Sequence, residues 1–141
     1  MFVNADLIAA GLSPFASEAA AIKAGRIMLA EIDEHVATHR SFSFETTVSG
    51  RGYAAKVPRW RAAGYRVSIY FVSLPHPEMA VERVRVRMSQ GGHSIPEAVI
   101  HRRFDSGLEN FHSRYKLVIS DWFLYDNQHR QPTLLAQGAT P

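Results

Sequence analysis

Two kinds of residue in this chain have types and spacing suited to chemistry. Carboxylates and hydroxyls cluster where short apolar runs end, and arginines recur at helical spacing. Asn4-Ala5-Asp6 closes the first apolar run, Glu45-Thr46-Thr47-Val48-Ser49 follows Phe42 and Phe44, and Asp126-Asn127 closes WFLY. Asp6 can serve as a general base toward a hydroxyl, or it can cap the short turn at residues 7–10. Glu45 is placed to hold a magnesium-bound water or a substrate hydroxyl; alternatively it is a strand-end residue bonded to neighbouring backbone. Thr46, Thr47 and Ser49 can bind phosphate or sugar oxygens, or supply the turn chemistry into the next helix. Asp126-Asn127 reads foremost as a turn dipeptide.

The arginines lie in VERVRVRMSQGGHSIPEAVIHRRF, residues 81–104. Helical spacing puts Arg83 and Arg87 on one face, while Arg85 points elsewhere and can reach Glu82 three residues back. Neither Arg83 nor Arg87 has a carboxylate three or four residues away, so an external anion suits that face as well as solvent does. Gly91-Gly92 ends the helix. Ser94 through Glu97 reads as a capping box, with Ser94 as N-cap and Glu97 at N3, opening a second helix that carries Arg102 and Arg103.

Other polar groups are weaker. His35 and His39 stand four apart, but no third ligand accompanies them, and a solvated helix end is the better reading. Trp60, Tyr65, Tyr70, Trp122 and Tyr125 fall at packing positions and read as core. No stacking-aromatic pattern or helix-turn-helix suits nucleic acid, and the net charge of +3 is mild. The chain has no cysteine, hence no disulfide or thiol chemistry. No signal peptide or membrane-length apolar run is evident, so a cytoplasmic protein without membrane attachment is expected.

The elements that must position these groups follow from the apolar pattern. At 141 residues one domain with its own core is expected. Residues 1–4 end a strand. Ser13-Pro14 opens a helix in which Ile22, Leu29, Ile32 and Val36 form the buried stripe, running to His39. Residues 41–45 form a strand and residues 50–63 a helix stopped by Gly64. The run RVSIYFVSL, residues 66–74, suits a strand buried on both faces of a parallel sheet. Helices follow at residues 77–90, 96–103 and most of 106–120. Residues 122–125 and 133–136 form two last strands, and residues 138–141 form a loose tail. Strands alternating with helices give an α/β layered fold with a mostly parallel sheet, where ligands gather beyond the carboxyl ends of strands.

Taken together, FVNADLIAAGLSP (residues 2–14), SFSFETTVSGRGY (41–53), GYRVSIYFVSL (64–74), ERVRVRMSQGGHSIPEAVIHRRF (82–104) and WFLYDN (122–127) resemble the zeta toxin family of P-loop kinases. The GGHSIP stretch with the RRF helix is the most specific part, and is similar to the bacterial branch of predicted ATPases. The resemblance implies a P-loop NTPase-like three-layer α/β/α sandwich with a helical lid. It implies transfer of the ATP γ-phosphate to an acceptor hydroxyl, with UDP-N-acetylglucosamine the acceptor in characterised members, and an antitoxin protein as partner. It makes Asp6 the catalytic base and places Asn4, Glu45, Thr46, Thr47 and Ser49 at the acceptor, Glu45 also through water to magnesium. Arg83, Arg87, Arg102 and Arg103 become phosphate clamps on the lid over ATP.

One departure stands out. Family members carry a GxxxxGK[ST] loop ahead of the Asn-Ala-Asp motif, and this chain has none. The sequence therefore reads as a single kinase domain, residues 1–141, lacking its first strand and phosphate loop. Strands at residues 41–45 and 66–74 would then each show an open edge. A catalytically inactive module that binds an antitoxin or a nucleotide sugar is the alternative.

Overall fold

The computed structural model describes residues 1–92 and 94–141; His93, inside the GGHSIP motif, lies outside the described residues. The chain is mixed α/β with two sheets and divides into two compact units, Met1–Thr46 and Thr47–Pro141.

In the first unit, β1 (Phe2–Val3) pairs in parallel with β2 (Ser43–Phe44). Between them run α1 (Ala5–Leu12), a short 3-10 turn (Ser17–Ala20) and α2 (Ala21–Ala37). Ser13-Pro14 does not open the long helix. Ser13 is the C-cap of α1, and its N–H donates to the Ala9 carbonyl. The buried stripe of α2 is Ala24, Met28, Ile32 and His35, whereas Ile22 points outward. Both stripes have helical spacing, and the one with the small residue wins. Ala24 lets α2 approach Ala9 of α1 closely, with Ala20 and Ile8 beside them. The helix then ends with His39 in the left-handed region (φ 51°), where Arg40 N–H reaches the His35 carbonyl at 3.0 Å.

In the second unit, α3 (Gly52–Ala62) is followed by β3 (Ser68–Ser73), α4 (Pro77–Ser89) and α5 (Glu97–Asn110). A π-helical turn (Phe111–Tyr115), α6 (Lys116–Val118), β4 (Asp121–Asp126) and β5 (Thr133–Ala139) complete it. The sheet order is β3-β4-β5, with the first pair parallel and the second antiparallel. Helices α3 and α4 both stop at a glycine with φ near +90°, Gly64 and Gly91. Beyond Gly91, Gly92 N–H donates to the Arg87 carbonyl at 2.8 Å, so the helix-ending glycine pair reads correctly from sequence.

Four expectations are corrected here. Strand β3 is not buried on both faces: Ile69 and Phe71 face inward, while Tyr70 is 63% exposed and stacks on Phe123, its register partner. Its inward face is set by Phe71, whose ring stacks on the fully buried Phe111. Tyr70 is therefore not core. Second, the predicted helices at 96–103 and 106–120 join without a break through residue 110 and continue into the π turn. Third, Ser94 is not the N-cap of α5. Pro96 takes that place with extended ψ and no side-chain cap, and Glu97 turns to Arg85 at 2.6 Å instead. Fourth, the end of the chain is not loose. Thr140 Oγ1 donates to the Lys116 carbonyl at 2.6 Å, and Arg61 donates to the carbonyls of Val118, Thr140 and Pro141.

Candidate active site

The carboxyl ends of the parallel pair β1–β2 bring Asn4 and Glu45 together. Asn4 is the N-cap of α1: its Oδ1 accepts from the N–H groups of Asp6 (2.9 Å) and Leu7 (3.1 Å). Its Nδ2 donates to Glu45 Oε2 at 2.9 Å. One amide thus closes the helix end with its acceptor and holds a carboxylate with its donor. Asp6 is not the cap; it sits in the exposed first turn of α1, where a negative charge is favoured by the helix dipole. Glu45 and Thr46 are also exposed. The arrangement offers a carboxylate free to accept a proton, Asp6, and a second held in place, Glu45. Among the described residues no group of three or more acidic, histidine or cysteine side chains could hold a metal ion by itself. Magnesium commonly takes one or two carboxylates and completes its shell with water and phosphates, and Glu45 suits that role.

His35 and His39 form no such site. His35 is buried, not solvated, and its ring stacks on Phe42 with centroids 5.8 Å apart.

In the second unit the chain bends sharply at Val48, between Thr47 and Ser49, and this bend is the turn at residues 47–49. The hydroxyls of Thr47 and Ser49 are 2.7 Å apart, Thr47 exposed and Ser49 half-buried. Val48 between them is buried and has φ 48°, a conformation that a β-branched residue adopts only under constraint. The constraint comes from α5. Buried Asn110 donates from Nδ2 to the carbonyls of Val48 (2.9 Å) and Ser49 (3.1 Å). Gly107, one turn earlier, leaves room for the Thr47 carbonyl; a Cβ there would lie 2.8 Å from that oxygen. Tyr115 adds a long hydrogen bond from its hydroxyl to the Gly50 carbonyl, 3.5 Å. Burial pushes the Tyr115 phenol up, a hydrogen bond with the Ala54 backbone opposing this in part and the neighbouring Tyr53 adding to it, so it stays a neutral donor at physiological pH. Sequence reasoning missed Asn110 and Gly107. Their one signal is that two poor helix formers stand three apart inside a helical stretch.

The arginines separate by partner. Arg85 is tied on the surface to Glu97 (2.6 Å) and Glu82 (3.6 Å). Arg83, half-buried, donates from Nη2 to the Asn127 carbonyl, fastening α4 to the turn after β4. That turn is closed by Asp126 Oδ1, which accepts the Gln128 N–H at 3.0 Å. Arg87, Arg102 and Arg103 are exposed, and among the described residues they form no ion pair. Helices α4 and α5 pack through Val81, Val84 and Ile100, with Ala80 and Ile95 beside them, so the basic groups sit on a helix pair with its own small core.

The family model described as Zeta toxin matches residues 5–131. An uncharacterized protein from Haemophilus influenzae is 26% identical over 102 residues, covering 72% of this chain and 73% of its own length. No solved structure matches the chain.

Proposed function

Since the chain belongs to the zeta toxin family, a group with a P-loop kinase-like function, we propose that it is an ATP-dependent small-molecule kinase of that type. The γ-phosphate of ATP passes to an acceptor hydroxyl, and UDP-N-acetylglucosamine is the acceptor we assign. The observation that carries the reading is the Asn4 amide, which caps α1 ahead of Asp6 and holds Glu45 at the ends of two parallel strands.

In this reading Asp6 accepts the proton of the acceptor hydroxyl as its oxygen attacks phosphorus, and the bond to the ADP oxygen breaks. A positioned base contributes roughly 10²–10⁴ in rate. Glu45, held by Asn4, orients the acceptor or a magnesium-bound water; magnesium, when bound, neutralises charge on the phosphates. Thr46, Thr47 and Ser49 hydrogen-bond acceptor oxygens. Arg87, Arg102 and Arg103 offer guanidinium groups to the phosphates, while Arg83 fixes the helix that carries Arg87. The three-layer P-loop arrangement with a helical lid, an antitoxin partner and a cytoplasmic location belong to the same proposal. Among the described residues no helix is long and apolar enough to cross a membrane.

The test is to incubate the full natural protein with γ-labelled ATP, magnesium and UDP-N-acetylglucosamine, and in parallel to titrate the sugar nucleotide alone by calorimetry. Label on the sugar nucleotide is the expected result. Binding without transfer would favour the inactive nucleotide-sugar-binding module, and neither binding nor transfer would defeat the acceptor assignment.

A further inference from the structure

We infer that Asn110 is a positioning residue: from its buried place at the end of α5 it locks the turn at residues 47–49 so that the Thr47 and Ser49 hydroxyls form one fixed pair for the oxygens of a hydroxylated or phosphorylated ligand. The ligand's identity as acceptor rests on the kinase reading; the lock itself does not.

Five features converge on this turn. Val48 holds φ 48° although its side chain branches at Cβ, and such strain persists only where the surroundings over-determine it. Its side chain is buried, so the turn cannot relax without exposing it. Asn110 donates to two successive carbonyls, those of Val48 and Ser49, with one amide nitrogen. The approach of the turn to α5 is so close that position 107 accommodates glycine alone, since any Cβ would press on the Thr47 carbonyl. The π turn begins at Phe111, the residue after Asn110, and it shifts the side chains that follow out of the α-helical register. Interruptions of this kind are frequent at functional sites. A loop that only connected β2 to α3 would need none of this. What the strain achieves is a hydroxyl pair 2.7 Å apart at the accessible edge of the turn.

A general packing role and a positioning role give different results. Asn110→Ala removes the donors, and Asn110→Asp keeps the shape while placing a carboxylate against two carbonyls. Arg61→Ala serves as control, because it releases the chain end in the same unit and leaves the turn untouched. Amide hydrogen exchange over residues 46–50 should quicken at least tenfold in both Asn110 variants and stay unchanged in Arg61→Ala. With UDP-N-acetylglucosamine as probe, its half-saturating concentration should rise at least tenfold in the Asn110 variants, with that of ATP within twofold of wild type. Unchanged exchange in the turn would overturn the inference. So would a parallel rise for both ligands, or a harmless Asn110→Asp. If the wild-type protein neither binds nor phosphorylates UDP-N-acetylglucosamine, the kinase reading fails on its own. The exchange rates then decide the lock alone.

Discussion

The ends of β1 and β2 and the turn at residues 47–49 are both polar sites, and they are built by opposite means. At the first, the partners of Asn4 within α1 follow from a local rule: a strand ends, a helix begins two residues on, and an amide caps it. The one distant partner, Glu45, arrives because β2 pairs in parallel with β1. The second site has the local contact between the Thr47 and Ser49 hydroxyls, and it is also held from a distance. Its backbone is strained at Val48, and its stabilising groups come from α5, about sixty residues onward in sequence, Asn110 donating across |i−j| = 62. A site built from local rules tolerates change one residue at a time. A site held against strain should fail as a unit.

Chemistry gives the sharpest division. If the first site carries the proton transfer, Asp6→Asn should lower turnover by about 10²-fold or more. The half-saturating concentrations of ATP and acceptor should move little, because the base acts in the transition state. Variants of the turn should show the reverse pattern, weakened acceptor binding with turnover largely kept. An Asp6→Asn protein with full turnover, measured by label transfer, would leave Asp6 a surface residue of α1 and break the contrast.

Stability gives the next. Asn110→Ala removes the donor that Asn110 gives to the carbonyls of buried Val48 and half-buried Ser49, and losing hydrogen bonds at a buried group costs roughly 1–3 kcal/mol. Asn4→Ala removes a half-buried N-cap, worth about 1 kcal/mol. Urea denaturation should therefore place Asn110→Ala below Asn4→Ala, with Asn4→Asp keeping the cap but setting a second carboxylate against Glu45. Equal losses at positions 4 and 110 would mean that the turn is no more dependent on its distant partner than α1 is on its cap.

The same division explains what could be read from the sequence. The Asn-Ala-Asp strand end, the glycine stops at Gly64 and Gly91, and the Glu82–Arg85 pair all follow from neighbours in sequence, while Glu45 at the end of a second strand follows from the expectation of a mostly parallel sheet. The capping box at Ser94 failed because Glu97 found a better partner in Arg85, a cation twelve residues away that local rules do not see. Arg83 looked unpartnered for the same reason, its partner being a backbone carbonyl on a different element. β3 misled because its run of apolar residues carries no alternation; only the ring of Phe111 decides which face goes inward. Asn110 was invisible because an asparagine inside a helix has no local signature of what it holds.

The smallest effect tests whether acid reaches the turn through the π segment. His112 follows Asn110 by two residues and packs edge-on against Phe111, centroids 5.1 Å apart. Burial, with the Lys116 charge adding to it, holds its imidazole below the usual histidine value. The unfolded chain then binds the proton more tightly than the folded one, so stability rises with pH between the folded and unfolded values. The contribution is complete above an unfolded value of about 6.5 and is lost as pH falls toward the lower folded value. Because His112 is largely exposed, the effect should be slight. The expected result is a melting temperature that drops between pH 7.5 and 5.5 by a degree or two more in the wild type than in His112→Gln. Exchange at residues 46–50 should quicken in step with that drop, while residues 4–8 at the start of α1 stay unchanged. Equal acid sensitivity at both sites, or none that depends on His112, would show that protonation of the π segment does not reach the turn.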